Sequence, residues 1–349
     1  VGLKPTFRVL ANSKDITDTI AARFISLSLT DETGVTSDLL EIVLADDPAQ
    51  PIQKPPKGAE LEVFLGYDGQ AQRMGMFVCD EIEFEGWPMQ MTIRARAAVF
   101  DKTPAGKADL QTQKTRSWDK GTKLGDMVAK IAKEHGMEPA VADSLKSIPL
   151  PHIAQSDESD LNLLVRLAKK YDGAVKPADG KLVLAKRGES KSVSGQSLAS
   201  ISLTPASGIT SFHVTEASKD DAGTVVAYYH ETKQAKRHEV KVGKGEPVRR
   251  LKQYQPTKDM ALALAKAELA RRSRGTTTVT LNMPGRPDVA AECPLNLSEF
   301  RDGVDGDYVI TRVAHTLDKD GGYKCRVEAE LPNDKDAPDV EDETGDDGA

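Results

Sequence analysis

The stretch 155-QSDESDLNLLVRLAKKYDGAVKPADGKLVLAKR-187 decides how the rest of the chain is divided. Ser156, Asp157 and Ser159 are short side chains able to accept hydrogen bonds from the free amides that open a helix. Asp157, Glu158 and Asp160 place negative charge where the helix dipole is positive. Leu161, Leu164, Val165 and Ala168 recur at helical spacing, Tyr171 extends the stripe, and Asp172-Gly173 stops it. Ala174 to Lys176 and Lys181 to Leu184 then flank an Asp179-Gly180 turn, the pattern of a hairpin. This compact helix-hairpin lies between two long strand-rich segments, so it speaks of architecture before chemistry.

Upstream, Thr6–Leu10, Phe24–Leu29, Leu39–Leu44, Glu60–Leu65, Arg73–Phe84 and Met89–Val99 read as strands. Turns at Asp46-Asp47-Pro48, Lys54–Gly58, Gly66–Gly69 and Glu85–Pro88 separate them. In TIRARAAV, Ile93, Ala95 and Ala97 alternate with Arg94 and Arg96, which gives one buried and one solvated face. Short strands with regular turns point to an antiparallel sandwich or barrel. Lys102–Trp118 is polar, contains Pro104 and Gly106, and reads as a linker. Thr122 is then a helix cap, Leu124, Met127, Val128 and Ile131 form an apolar stripe, and His135-Gly136 ends it.

Downstream strands are expected at Leu198–Leu203, Ile209–Ala217, Thr224–Glu231, His238–Val242, Thr276–Asn282, Tyr308–His315 and Tyr323–Leu331. One Ala- and Leu-rich helix, Thr257–Arg274, interrupts them and closes at Gly275. Residues 333–349 carry eight acids against Lys335, too polar to bury a core, and are expected to be disordered unless a partner holds them. The fold class is therefore mainly β with an α+β insert. Residues 1–105 form a first β unit and 106–190 the insert. Residues 191–332 form a second β unit, continuous or interrupted, with the helix at about 257–274, and 333–349 an acidic tail.

Bulk numbers narrow the function classes. The 349 residues exceed what one core usually organises. A net charge of -7 and 5% aromatics disfavour phosphate-backbone binding and base stacking, so no direct nucleic-acid binding is expected. No apolar run is long enough for a membrane helix, and VGLKPTFRVL lacks the pattern of a secretory signal. Cys79, Cys293 and Cys325 are odd in number, show no CxxC spacing and sit in strand contexts, so they read as buried thiols made in a reducing cytoplasm.

Chemistry candidates are weak. His135, His152, His213, His230, His238 and His315 include no HExxH or HxH pair. His230 and His238 face each other across a hairpin at best, without a third ligand. Asp302–Asp307 and Asp318–Gly321 resemble calcium loops but lack the closing Glu, and Gly243-Lys244-Gly245 is a turn. Arg271, Arg272 and Arg274 are either an anion-binding patch or cations placed at a helix C-terminus. No nucleophile elbow, phosphate loop or dinucleotide fingerprint occurs. No catalytic, cofactor or metal residue is assigned, and the expectation is a protein that is not an enzyme.

Taken in order, LGYDG (Leu65–Gly69), GMFVCDEIEFEGWP (Gly75–Pro88), TIRARA (Thr92–Ala97), TRSWDKGTKLGDMVAKIAKEHG (Thr115–Gly136), QSDESDLNLLVRLAKKYD (Gln155–Asp172), GKLVLAKRG (Gly180–Gly188) and GRPDV (Gly285–Val289) resemble the late control protein D family of contractile-tailed phages. That family is similar to the baseplate hub at the tail tip and to the hub part of type VI secretion spikes. The resemblance runs through most of residues 1–332. It implies a homotrimer in which each chain gives two tube-like antiparallel β-barrels, a pseudo-sixfold ring between a sixfold tail tube and a threefold spike. Implied partners are the tail tube protein, the central spike, and the tape measure and other baseplate proteins. The implied location is the baseplate of a phage or tailocin particle assembled in the host cytoplasm. The competing readings are a peptidoglycan hydrolase and a cell-wall binding protein; Lys120–Met137 has a faint likeness to half a LysM module. Rim positions on Phe24–Leu29, Glu60–Leu65 and Thr276–Asn282 are either interface elements or core.

Overall fold

A computed structural model describes residues 2–34, 38–56, 58–97, 109–178, 180–190, 197–217, 223–231 and 236–333. The acidic tail after Asn333, Asp179 of the expected turn, and most of the expected linker lie outside these residues. The fold is mostly β, and its large sheet is antiparallel apart from one short parallel pair.

Strands from both ends of the sequence share one 13-stranded sheet. Its order runs Ser211–Glu216, Thr277–Pro284, Gly322–Glu330, Gly306–Asp318, Phe24–Glu32, Leu39–Ala45, Gln90–Ala97, Gln70–Glu85, Glu60–Tyr67, Pro5–Ala11 and Lys14–Asp15. Pro294–Leu297 joins Gly306–Asp318 from the side and pairs in parallel with Ile201–Leu203. The two halves meet where Phe24–Glu32 pairs antiparallel with Gly306–Asp318, from Ser26 opposite Asp318 to Glu32 opposite Arg312. Alternation explains the burial. Leu40, Ile42 and Leu44 point inward from one strand and Cys325, Val327 and Ala329 from another. Leu27, Val63 and Leu65 join Leu281, Ile310 and Val313 in a single core that both halves line. Truncating one of these, Leu27→Ala for instance, removes contacts worth about 2–5 kcal/mol.

The insert has its own core. Leu124, Met127, Val128 and Ile131 pack on Leu163, Leu164 and Leu167 and on Val175, Leu182 and Leu184 of the hairpin Gly173–Ala178 and Lys181–Lys186. Three details correct the sequence reading. Gln113–Trp118, taken as linker, is a strand paired with Ile153–Ser159. Its alternation was hidden because two of the three sheltered side chains, Lys114, Arg116 and Trp118, are cations. Thr122 does not cap the first insert helix, Leu124–Glu134; its hydroxyl donates to the Asp119 carbonyl at 2.7 Å. The second insert helix, Asp160–Lys170, buries Leu163, Leu164, Leu167 and Ala168, leaving Leu161 and Val165 half-buried. Ser159 is its cap, with Oγ accepting from the Asn162 amide at 3.2 Å, while Ser156 and Asp157 belong to the preceding strand.

A third, smaller core interrupts the second half. Thr224–Glu231, Lys236–Gly243 and Val248–Gln255 form a separate three-stranded sheet covered by the helix Lys258–Arg274. Val225, Ala227, Val240 and Val242 pack on Ala261 and Ala265. Thr257 caps that helix, its hydroxyl accepting from Met260. The strand Val248–Gln255 (VRRLKQYQ) carried no apolar alternation to reveal it, because only Gln255 is buried and Leu251 half-buried.

Candidate functional site

Two buried clusters bring together groups able to do chemistry. In the insert, the buried Asp160 is surrounded by cations. Its Oδ1 accepts from Arg116 Nη2 and Gln155 Nε2, both at 2.7 Å. Its Oδ2 accepts from Lys114 Nζ at 2.8 Å and lies 2.9 Å from His135 Nε2. Burial pushes this carboxyl up, but the hydrogen bonds from His135, Lys114 and Gln155 and the Arg116 charge hold it well below the usual carboxylate range. Glu134, His135 and Asp160 each offer one ligand atom within 4.8 Å of one another. A dication there would meet Lys114 and Arg116, which already neutralise Asp160. The donor set fits an internal ionic lock between Gln113–Trp118 and the helix Asp160–Lys170 better than a metal centre.

In the large sheet, Cys325 Sγ lies 3.1 Å from His315 Nδ1, and the Tyr323 hydroxyl lies 2.9 Å from the same nitrogen. A thiol beside an imidazole is the makings of a nucleophile. Here burial pushes the thiol up to about 11 and the imidazole down to about 4, so both are neutral near pH 7. Cys325 and His315 are each 1% exposed, which denies a substrate access to either. The pair is core.

The remaining expectations resolve into structure. His238 stands opposite Tyr229 and His230 opposite Arg237, so the two histidines fall on opposite faces of their sheet and do not converge. The Asp302–Asp307 segment is a turn in which Asp305 accepts from the Phe300 amide and Asp307 from Asn296. Arg271 and Arg272 both bind Glu268 at 2.8 Å.

Arg274 behaves differently from its two neighbours. Its guanidinium, 1% exposed, grips both oxygens of Asp172 at 2.8 and 2.7 Å and donates from Nε to Glu330 at 3.0 Å. It thereby ties the insert, the long helix and the large sheet together. A second tie joins insert and sheet, where Lys176 Nζ lies 3.2 Å from both Asp31 Oδ1 and Asp38 Oδ1. No feature of the sequence announced Asp172 or Lys176 as partners, because the pairs are 102 and 138 or more residues apart. In these locks the cations are spent on neighbouring carboxylates and hold surfaces in place.

The surfaces themselves are the better candidate. Among the described residues, Ser211–Glu216 pairs only with Thr277–Pro284, so its other edge is open. Phe212 on it is 48% exposed and meets Phe300 edge-on at 5.3 Å. The hairpin formed by Gln70–Glu85 and Gln90–Ala97 ends in Phe84 and Trp87, the latter 83% exposed. Open edges and bare aromatics are unfavourable on an isolated chain and normal on a subunit. The strands put forward as rim elements use their backbone edges internally. Phe24–Glu32 lies between Leu39–Ala45 and Gly306–Asp318, Glu60–Tyr67 between Pro5–Ala11 and Gln70–Glu85, and Thr277–Pro284 between Ser211–Glu216 and Gly322–Glu330.

Comparison with known proteins gives this arrangement its context. The family profile described as phage tail baseplate hub (GPD) matches residues 39–321. The probable baseplate hub protein of Escherichia phage P2 is 32% identical over 388 aligned positions, covering 99% of this chain and 97% of that protein. Among solved structures, the 43 kDa tail protein of prophage MuSo2 from Shewanella oneidensis superposes with a TM-score of 0.69 at 14% identity, covering 94% of this chain and 99% of that one. An E. coli component of the type VI secretion system has a TM-score of 0.52 at 10% identity, covering 98% of this chain and 80% of that one, and so shares the fold. With the profile spanning most of the sequence and a full-length relative at this identity, the chain belongs to the phage tail baseplate hub family.

Proposed function

We propose that this chain forms the hub as a homotrimer, in which residues 1–105 and 191–332 supply two tube-like β units per subunit and the insert 106–190 decorates the outside. Three subunits then present six β units, matching a sixfold tail tube on one face and a threefold spike on the other. The observation that carries this reading is the pairing of Phe24–Glu32 with Gly306–Asp318, which sets the two halves side by side in one sheet. A ring of this kind needs head-to-tail contacts, and two unlike β units give each subunit two unlike neighbours. The open edge at Ser211–Glu216 and the Phe84-Trp87 hairpin tip are the surfaces available for those contacts.

Assembly would take place in the host cytoplasm, with the tail tube protein, the central spike and further baseplate proteins, the tape measure among them, as partners in a phage or tailocin particle. Electron-microscope images of the chain with its spike protein test the symmetry. Averages down the ring axis should show six β lobes in three equivalent pairs. Two lobes, or six fully equivalent ones, would remove the trimeric hub. A peptidoglycan zymogram of the isolated chain checks the role from the other side, and clearing would bring back the hydrolase.

A further inference from the structure

Between the insert and the three-stranded sheet runs an open groove of about 600 Å³. Lys169 and Arg187 line it from the insert, and Arg249, Arg250, Lys252 and Arg271 from the facing strand and helix. Its two acids are already engaged, Asp172 by Arg274 at 2.7 Å and Glu268 by Arg271 and Arg272 at 2.8 Å. Among the described residues, Lys169, Arg249 and Lys252 make no ion pair, and the buried Nε of Arg187 has no hydrogen-bond partner. So many like charges around one concavity raise its potential and favour an anion of several charges.

We propose that the acidic segment 334–349 of the same chain occupies this groove. Three observations select that occupant. Asn333, where the described chain stops, stands at the rim: its Nδ2 donates to the Arg187 carbonyl at 2.6 Å, and its Oδ1 accepts from Arg274, the residue that holds Asp172 in the groove wall. The segment from Asp334 to Ala349 has eight acids against Lys335, a net of -7, which equals the net charge of the whole chain. The rest of the molecule is thus neutral overall, and its excess of cations in the groove is local. Reach is sufficient, since a segment of this length spans about 20 Å as a flexible coil and about 50 Å extended. Seated there, the segment bridges insert and three-stranded sheet and covers a surface on which other polyanions would compete.

The test uses the full chain, a chain ending at Asn333, and a labelled synthetic peptide of residues 334–349. At 50 mM salt the shortened chain should bind the peptide. The full chain should bind it at least about tenfold more weakly, because the tethered segment acts at an effective concentration near the millimolar range. Arg249→Glu with Lys252→Glu, both exposed, should weaken peptide binding to the shortened chain by about tenfold or more, as should 200 mM salt. In the full chain the same pair should make the segment several-fold faster to cleave with a protease, which keeps the test valid if the shortened chain folds poorly. Equal peptide binding by full and shortened chains, unchanged cleavage in the groove variant, or binding of a DNA duplex without binding of the peptide would each overturn the proposal.

Discussion

Arg274 and Lys176 each bring one cation into a contact between the insert and the large sheet, yet the two contacts are built on different chemistry. Arg274 offers a planar fork that matches the Asp172 carboxylate at two points and keeps a third donor for Glu330. Lys176 is a point charge shared among Asp31, Asp38 and the Glu32 carbonyl, all at 3.2–3.3 Å. Burial, with Asp31 adding to it, outweighs the Lys176 charge and raises Asp38 to about 6. Asp38 in the folded chain therefore holds its proton to higher pH than its ordinary 3.8. Its contribution to stability is fully present below that value and is lost as pH rises through about 6. The first junction is a geometric lock; the second is a point-charge contact in which Asp38, once it loses its proton near pH 6, depends on Lys176 as its counter-ion.

Substitutions at these junctions and at the surface separate the two behaviours. The largest effect belongs to Arg274→Met, which leaves the buried Asp172 with only the more distant Lys186 at 3.8 Å and should cost about 3–5 kcal/mol in urea unfolding. Adding Asp172→Asn should recover part of the loss, and a single variant as stable as the parent would show the fork to be unimportant. Lys176→Met should cost about 2–3 kcal/mol at pH 8 and distinctly less at pH 5, where a protonated Asp38 needs no counter-ion. Identical losses at the two pH values would dissolve the distinction between the junctions.

Glu292 lies on the sheet side of the Arg274 junction, with Oε1 buried and unpartnered. Burial holds its acid up to about 7 despite the Gly188 backbone hydrogen bond and the Arg187 charge. Its contribution is complete below 4.5 and lost as pH passes through about 7, so Glu292→Gln should add about 1–2 kcal/mol at pH 8 and nothing at pH 5. Smallest of all, Trp87→Ser should leave stability within about 0.5 kcal/mol, since the ring is 83% exposed, while weakening association between subunits. A large drop in melting temperature would make Trp87 a core residue of the isolated chain.

How much was legible follows the same divide between apolar and ionic organisation. The stripe Leu124, Met127, Val128 and Ile131 and the strand TIRARAAV were readable because their burial is apolar and periodic. The buried stripe of Asp160–Lys170 lies a step away from the Leu161, Leu164, Val165 and Ala168 that periodicity suggests. LNLLVRLA is apolar around too wide an arc, and the rotation is fixed by Asp160 turning inward to Arg116 and Gln155. Gln113–Trp118 reads as a linker because its sheltered residues include Lys114 and Arg116. Val248–Gln255 went unseen since its outer face is bare. The two ionic junctions were illegible in principle, as nothing local to Arg274 names a partner at Asp172. The hub family was legible through the order of its segments, whereas the exposed Phe84-Trp87 tip and the Ser211–Glu216 edge emerge only with the sheet order.

A ring closed by three copies of this chain has a definite mass in solution. Light scattering, alone and with the spike protein, should return three times the 37.7 kDa chain mass, plus the spike in the mixture. A stable single chain that binds neither spike nor tube protein would contradict it.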